Sequence, residues 1–472
     1  MKKPTRSISG VIVVTLFTKP YPCPGSCIFC PTIKDVPKSY IPSEPACARA
    51  ITLNYDPYQQ IIKRIEVLKN NKHNTDKVEI IISGGTFSSY PKKYLLLFFC
   101  RIFEALNLIP PRTDLSSLNI SKLKEYLKQQ QKINENGKHK SVGISIETRP
   151  DCVDIKLIKF WRLLGVTKIQ LGVQSMYNKI LKVNRRGHTV QQTSNAISLL
   201  RQFGFKIQVH YMLNLYKSTP QKDISGFIKM FRPNSICPDE LKIYPTSIVD
   251  GTKLYNLFRE NKYSPYSTEN LIAMLTQIKK NIPQYCRVSR VFRDIPSDKI
   301  VAGTNKTNLR EMVWKHMKEK NLKCECIRCR EVRGDKIIED IKYKTLKYKT
   351  GNTKEYFIQA VSRTETKNDC ILGFLRLSVG KLNTTEIPNF LKNRAIIREV
   401  HVYGVSEKIG ESGEIQHTGI GKKLIEIAKE LTLKHRYNNL YVISAIGTRE
   451  YYRKLGFKID KLNYMNLDLQ SF

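Results

Sequence analysis

Acidic residues are scarce in this chain. Forty-one Asp and Glu stand against 80 Lys and Arg in 472 residues, a formal net charge of +39. That shortage disfavours cationic partners and favours polyanions: nucleic acid, an anionic membrane surface or a phosphorylated ligand. Long apolar runs are also missing, and no stretch approaches the roughly 20 residues needed to span a bilayer. Lys2, Lys3 and Arg6 precede the apolar run Val11 to Phe17, but no small-residue cleavage site follows it. The run is rich in β-branched residues and stops at a Pro-Gly cluster, so it reads as a buried strand ending in a loop. A disulfide framework is absent as well. Six of the 12 cysteines fall in two tight clusters of a large chain, which favours metal binding in a reducing compartment. The expectation is a soluble cytoplasmic protein with no membrane partner. There is no long internal repeat and no low-complexity segment. Hydrophobic residues are 41 % of the chain, enough for packed cores, and the length suggests two to four domains.

What is present is an alternation of short apolar runs with longer amphipathic segments. Strands are expected at Val11 to Phe17, Val78 to Ile82, Val142 to Ile146, Lys168 to Leu171, Lys206 to Tyr211 and Glu240 to Ile243. Helices are expected at Tyr58 to Asn70, Ile155 to Leu164 and Thr193 to Phe203. Such alternation predicts an α/β fold with a parallel sheet, an open or closed barrel whose working residues lie in loops after the strands. Residues 306–354 differ, holding 15 Lys and Arg against 7 Asp and Glu, about twice the positive density of the whole chain. A smaller α/β pattern follows, with strands at Tyr356 to Val361, Ile371 to Leu377, Ala395 to Tyr403 and Leu440 to Ile443, and a helix from Gly419 to about Lys434.

Cys23-x-x-x-Cys27-x-x-Cys30 lies just after the first strand. Three thiolates this close can hold three corners of a [4Fe-4S] cubane and leave one iron open. A partial zinc site or an accident of a Cys-rich loop fits the spacing too. The placement after strand one, with Ser83-Gly84-Gly85-Thr86 after the next strand, resembles the radical S-adenosylmethionine (SAM) enzymes. In that family the open iron chelates SAM, and the glycine segment receives its methionine end.

The resemblance extends along nearly the whole chain. Lys38-Ser39-Tyr40, Tyr55-Asp56-Pro57-Tyr58, Gly84-Gly85-Thr86-Phe87, Glu147-Thr148-Arg149-Pro150-Asp151, Leu171-Gly172-Val173-Gln174-Ser175, Asn184-Arg185-Arg186-Gly187-His188-Thr189, Leu241-Lys242-Ile243-Tyr244-Pro245-Thr246 and Arg293-Asp294-Ile295-Pro296 are similar to the catalytic subunits of Elongator. Those proteins join a radical SAM domain to an acetyltransferase domain and modify the wobble uridine of tRNA. The resemblance implies a radical SAM partial, TIM-like barrel over residues 1–295, a basic zinc-binding linker over 296–350 and a GNAT acetyltransferase domain over 351–472. It implies a [4Fe-4S] cluster on Cys23, Cys27 and Cys30, with SAM near Gly84, Gly85, Thr86 and Glu147. The partners implied are the tRNA anticodon stem-loop and either Elongator-type accessory subunits or a second copy of the chain.

Gln416-His417-Thr418-Gly419-Ile420-Gly421-Lys422 opens the C-terminal helix, where backbone N–H groups can cradle a pyrophosphate. A bare helix cap gives the same pattern. The flanking strands make the order similar to GNAT enzymes, which bind acetyl-CoA there. The resemblance carries acetyl-CoA contacts onto Glu399, Val400, His401, Val402, Gln416, Gly419, Ile420, Gly421 and Lys422, and across the chain onto Lys77. It makes Tyr452 and its neighbour Tyr451 the catalytic candidates, able to protonate a leaving thiolate. Cys324-x-Cys326-x-x-Cys329 suits structural zinc, with His316 and Cys286 as candidates for a fourth ligand. Arg185, Arg186, His188 and the lysines of 306–354 are candidate tRNA contacts.

Three departures from the family pattern stand out. The usual basic segment ahead of the first strand is missing, which implies weaker tRNA binding or reliance on partners. Thr32-Ile33 replaces Gly-Gly after the cluster cysteines. Met212-Leu213-Asn214-Leu215-Tyr216-Lys217 replaces Met-Pro-Gly-Leu-Pro-Gly in a loop expected to face SAM. The resemblance implies a tRNA uridine-modifying enzyme that installs a carboxymethyl group at C5 from acetyl-CoA. The alternatives are a protein lysine acetyltransferase and a non-enzymatic tRNA-binding scaffold with a degenerate SAM loop.

Overall fold

A strand with helices on one face and an open lumen on the other must alternate apolar and polar side chains. The first half of the chain does this strand after strand. The computed structural model, which describes residues 10–381, 393–403 and 419–470, joins seven parallel strands in sequence order. They are β1 Val11–Phe17, β2 Lys77–Ser83, β3 Lys140–Thr148, β4 Lys168–Gln174, β5 Lys206–Leu213, β6 Glu240–Pro245 and β7 Arg287–Arg290. On β5, Ile207, Val209, Tyr211 and Leu213 are buried, while Lys206, Gln208, His210 and Met212 line an internal cavity. β4 repeats the pattern, with Ile169, Leu171 and Val173 buried and Lys168, Gln170 and Gly172 inside. β1 and β7 are the edges of the sheet, so the barrel is partial.

Parallel strands need crossover connections, and helices supply them. Ile155–Leu164 shows how the sequence sets such a helix. Asp154 caps its start by accepting from the Leu157 N–H at 2.7 Å, and Gly165 ends it at φ +90°, a left-handed geometry that favours glycine. Its inner face buries Ile158, Trp161 and Leu164. The six strands expected in this half are all present, several of them longer than expected. β7 was not expected, because its Arg287-Val288-Ser289-Arg290 carries a single apolar residue.

The second sheet holds β8 Lys342–Lys349, β9 Lys354–Ser362, β10 Cys370–Lys381, β11 Asn393–Val402, β12 Asn439–Val442, β13 Lys458–Ile459 and β14 Met465–Asp468, in the order 13-14-12-11-10-9-8. β8 lies inside the stretch expected to be a linker. Its tyrosine and lysine repeats are a strand edge, and Tyr348 stacks on Tyr285 of the first half at 3.8 Å and 6°. Only β11 and β12 run parallel, and their ladder stops after Ala395, Ile396 and Ile397. One parallel pair among antiparallel ones makes this a mixed sheet resembling the GNAT kind, and beyond Ile397 β11 has no further ladder to β12. The helix Ile420–Lys434 covers one face of the sheet and buries Ile420, Leu424, Ile425 and Ala428. No described helix is long and apolar enough to cross a membrane.

The two sheets are locked by a buried charge network. Arg398 of β11 makes a bidentate pair with Asp239, just before β6, at 2.6 and 2.8 Å. The same guanidinium reaches Glu355 of β9 at 2.8 and 3.1 Å, and all three side chains are at most 1 % exposed. Lys206 of β5 pairs with Glu399 at 2.6 Å and Glu240 at 2.7 Å, and Lys168 meets Glu240 at 2.6 Å. Arg376 of β10 closes on Glu399 at 2.8 Å. A second contact sets the Ile446–Thr448 turn against β3, where Gly447 approaches Lys140 so closely that a Cβ would fall 2.6 Å from it.

Removing one partner of a buried ion cluster strands the others in a low dielectric. Arg398→Ala is expected to cost about 3–5 kcal/mol of stability in urea denaturation. Burial works to raise the Asp239 carboxyl, but Arg398 and Arg376 outweigh it and hold it well below the usual carboxylate range. Its stabilising share is therefore full above its unfolded value of about 4 and fades as pH falls below it. The stability difference between wild type and Asp239→Asn should shrink between pH 5 and pH 3.

Candidate active site

The polar inner faces of the strands enclose a cavity of about 1070 Å³. Cys23, Cys27, Cys30, Gly85, Thr86 and Glu147 line it at the carboxyl ends of the strands. Glu79, Lys168, Lys206 and Glu240 line it further down, and Glu399, His401 and Tyr403 of the second sheet complete it. One continuous space therefore joins the two halves of the chain.

The cysteine loop is held by cations. Arg186 is buried, donates to the Gly172 carbonyl at 2.5 Å and points Nη1 at the Cys27 sulfur at 3.4 Å. Arg149 pairs with Asp151 at 2.8 Å and donates to the Arg186 carbonyl at 2.7 Å. Its Nη1 is buried without a hydrogen-bond partner. A Cβ on Gly25 would lie 2.0 Å from that nitrogen, so only glycine fits the loop. The neighbouring Cys30, then Arg186, draw the Cys27 thiol down to about 5 against the opposing effect of burial. Among the described residues these three sulfurs are not all gathered within 4.8 Å of one another as those of Cys324, Cys326 and Cys329 are, and spaced sulfur donors beside an orphaned guanidinium N–H fit an anionic iron–sulfur cluster better than a zinc ion.

Gly84 and Gly85 sit at φ +135° and +99° after β2, and a Cβ on Gly84 would fall 2.0 Å from Thr18 Oγ1. Beside them, Thr86 Oγ1 lies 3.2 Å from Cys23 Sγ. Glu147 at the end of β3 accepts from Tyr40 at 2.6 Å and from Lys242 at 3.4 Å. Lys242 also reaches Gln170 at 2.5 Å, which in turn meets His210 at 3.1 Å. Burial, then the Lys242 charge, holds the His210 imidazole well below its ordinary range, so it is neutral.

Two sequence expectations change here. Arg186 and His188 are buried, at 7 % and 5 % exposure, and Arg186 lines the cavity, so neither is the outer-surface charge expected. Their charge-bearing motif turns inward to hold the cysteine loop, while Arg185 beside them is exposed. The Leu213–Lys217 loop does not line the cavity; only Met212 does. Leu215 and Tyr216 pack instead with Phe29 and Ile28 behind the cysteine loop. The two positions where family members carry glycine, Asn214 and Lys217, both keep a left-handed backbone, at φ +63° and +64°. Asn214 is fixed by the Asp223 carboxylate at 2.7 Å and by Tyr266 N–H at 2.6 Å. The loop retains the path glycine would give it.

At the far end, Glu399 and His401 face the cavity from β11. The Glu399 carboxylate is spent on Lys206 and Arg376, which leaves its backbone for a ligand. Val400 and Val402 alternate to the other face, where Val402 approaches Gly421. Gly419, at φ +86°, starts the helix Ile420–Lys434, and Lys422 is exposed on its first turn. Tyr451 reaches over that turn, with its hydroxyl 3.0 Å from where a Gly421 Cβ would sit. Tyr452 is buried against Phe457 and Tyr451. Lys77 stands at the amino end of β2, partly buried, where burial lowers its ammonium below the ordinary range. Gln416 lies outside the described residues.

The sulfurs of Cys324, Cys326 and Cys329 lie within 4.8 Å of one another. Neither expected fourth ligand joins them. His316 is bonded to Thr276 at 2.9 Å, and Cys286 meets the cluster through its carbonyl, which accepts from Ile327 N–H at 3.0 Å. The nearest cation is the buried Lys279 ammonium, 3.8 Å from Cys329. Sequence reasoning missed Lys279, Lys168, Lys206, Arg149 and Lys242 as site residues. For Lys168, Lys206 and Lys242 the signal available was a lysine at the inward phase of an otherwise apolar strand; Lys279 lies on the helix Thr268–Lys280 and Arg149 follows β3.

Residues 21–231 match the Radical SAM superfamily, and residues 238–319 match the Radical_SAM C-terminal domain. The chain is 37 % identical over 468 residues to a tRNA uridine(34) acetyltransferase of Dehalococcoides mccartyi (strain CBDB1), covering 97 % of this chain and 98 % of the relative. It is 35 % identical to Elongator complex protein 3 of Dictyostelium discoideum, covering 97 % and 82 %. The archaeal Methanocaldococcus infernus Elp3 with an N-terminal deletion superposes with a TM-score of 0.82 at 34 % identity, over 98 % of this chain and 100 % of that structure.

A lysine held at φ +64° pays a steric cost that glycine avoids. Lys217→Gly is expected to raise stability by about 0.5–1 kcal/mol, read as a higher midpoint in urea.

Proposed function

The chain belongs to the family of the tRNA uridine(34) acetyltransferases and Elongator complex protein 3, a radical SAM family, and on that premise we propose that it builds a carboxymethyl group on C5 of the wobble uridine of tRNA, with acetyl-CoA as the carbon donor. The observation that carries this reading is the single cavity shared by the cysteine loop and β11. The loop assigned to SAM and the β11 residues assigned to acetyl-CoA border the same space, so a radical formed at one end faces the carbon donor at the other.

Cys23, Cys27 and Cys30 would hold three irons of a [4Fe-4S] cluster, with SAM at the open iron against Gly84, Gly85, Thr86 and Glu147. When bound, the pair supplies a 5′-deoxyadenosyl radical. The protein's own residues do the rest by position and charge. Arg149 and Arg186 balance the negative charge of the sulfurs. The ion pairs of Lys168, Lys206, Glu240 and Glu399 keep the lower cavity polar yet internally satisfied, so a ligand there meets fixed dipoles.

The backbone of Glu399 to Val402, beyond the ladder to β12, supports the extended arm of acetyl-CoA. The first turn at Gly419 to Lys422 offers N–H groups to the pyrophosphate, with Lys77 and Lys422 as countercharges. Tyr451 closes over that turn. Tyr452, whose hydroxyl burial raises above the ordinary range, stays protonated and would donate its proton to the CoA thiolate as the thioester is hydrolysed. Cys324, Cys326 and Cys329 would give a structural zinc three of its four ligands; among the described residues no fourth His, Cys or carboxylate ligand is gathered with them, and the Lys279 ammonium lies beside Cys329. The kept backbone of Asn214 and Lys217 argues against a degenerate scaffold.

After anaerobic reconstitution, tRNA incubated with acetyl-CoA, SAM and reductant should yield carboxymethyluridine by nucleoside mass spectrometry. Cys27→Ala should bring both that product and 5′-deoxyadenosine to the level without enzyme. Tyr452→Phe should slow CoA release by about 10²–10⁴-fold. Acetylation of peptides with no 5′-deoxyadenosine, from protein with an intact cluster spectrum, would overturn the reading in favour of a protein acetyltransferase.

A further inference from the structure

The chain has two tryptophans, and they have opposite environments. Trp161 is fully buried, whereas Trp314 is 62 % exposed, more than any other large apolar side chain described. Trp314 belongs to the helix Leu309–Glu319, whose packing is done by Leu309, Val313 and Met317 on another face. It therefore contributes nothing to the core. One turn before it lies Arg310 and one turn after it Lys318, on the same face of the helix. Lys315, Lys318, Lys320 and Lys323 are all exposed nearby.

The start of this helix touches the strand that borders the cavity. Arg310 donates to the carbonyl of Val288 in β7 at 3.3 Å, and the neighbours of Val288, Arg287 and Ser289, line the cavity. Burial, then the adjacent Arg328 charge, pushes the Arg310 guanidinium down to about 10. Arg328 and Arg333 also line the cavity. Glu311 and Glu319 are the exposed acids of this helix, against Lys315, Lys318, Lys320 and Lys323, so the indole sits in a net positive surface that is suited to single-stranded nucleic acid. The ring takes the face of a base, and the cations take the phosphates.

We propose that Trp314 stacks on an unpaired nucleotide of the RNA substrate, next to the one that enters the cavity, with Lys315 and Lys318 on the adjoining phosphates. The proposal rests on the tRNA reading above and adds to it a residue that holds the RNA by stacking. A protein partner would use the same ring as an apolar anchor, and the test separates the two.

Because Trp161 is buried, an RNA-dependent change in intrinsic fluorescence reports Trp314. The full chain is titrated with a tRNA transcript at several salt concentrations. Wild type should show quenching, and Trp314→Phe should bind with similar affinity but show none. Trp314→Ala should bind on the order of tenfold more weakly with an unchanged salt slope, because no phosphate contact is lost. Lys318→Gln should instead reduce the salt slope by about one. Unchanged melting temperatures establish that the variants are folded. Equal affinity of wild type and Trp314→Ala, quenching that persists in Trp314→Phe, or a Trp314→Phe that binds as poorly as Trp314→Ala would each overturn the stacking role. Tight tRNA binding with no fluorescence change would leave the indole to a protein partner. A wild-type chain that binds no tRNA would overturn the functional reading itself, whatever the variants do.

Discussion

The Arg398 guanidinium, buried between Asp239 and Glu355, is the contact on which the rest of the molecule depends. It joins β9 and β11 of one sheet to the residue that leads into β6 of the other, with all three side chains buried. Such a cluster adds little net stability compared with apolar packing, but it tolerates only one arrangement of its partners. That intolerance fixes the sheets in register. Lys206 extends the same network from Glu240 in the barrel to Glu399 in β11, so the floor of the cavity and the edge of the second sheet are one electrostatic unit.

From that weld follows the shape of the active site. A barrel filled with branched apolar side chains would have no through-space. Here the inward positions carry Lys168, Gln170, Lys206, Gln208, His210, Glu240 and Lys242, and opposite charges satisfy one another across the lumen. The lumen can stay open because its walls are polar but paired. The second sheet closes one end and supplies Glu399 and His401 to the same space, which neither half could enclose alone.

Much of the fold was legible in the sequence. The strands from β1 to β6 showed as apolar runs because their outward residues pack against helices. β7 was silent because a short edge strand with arginines at both ends has no such run. β8 read as linker for a related reason: its lysines face solvent along a sheet edge, and only Leu346 and Tyr348 turn partly inward. At the site, the cysteine trio and the glycine turns were visible because their spacing is local. Arg186 and His188 looked like surface cations, yet both are buried, Arg186 against the Cys27 sulfur. The Asn214 and Lys217 substitutions looked like damage, yet both hold the left-handed geometry of the glycines they replace.

What the sequence by itself determined was everything carried by neighbours in the chain: the alternation that makes strands, the caps that bound helices, the thiol spacing, and an excess of positive charge. What only the tertiary structure decided was which of those charges remain free. Arg398, Lys206 and Arg376 are spent on carboxylates contributed by distant strands, and Arg149 and Arg186 turn inward to the cysteine loop. Lys315, Lys318 and Lys349 stay in water, while Lys342 and Lys344 of β8 pair with Glu339 and Asp369. Pairing over distances of tens to hundreds of residues depends on where the sheets bring side chains together. That is a property of the packed fold, which composition and local spacing do not encode.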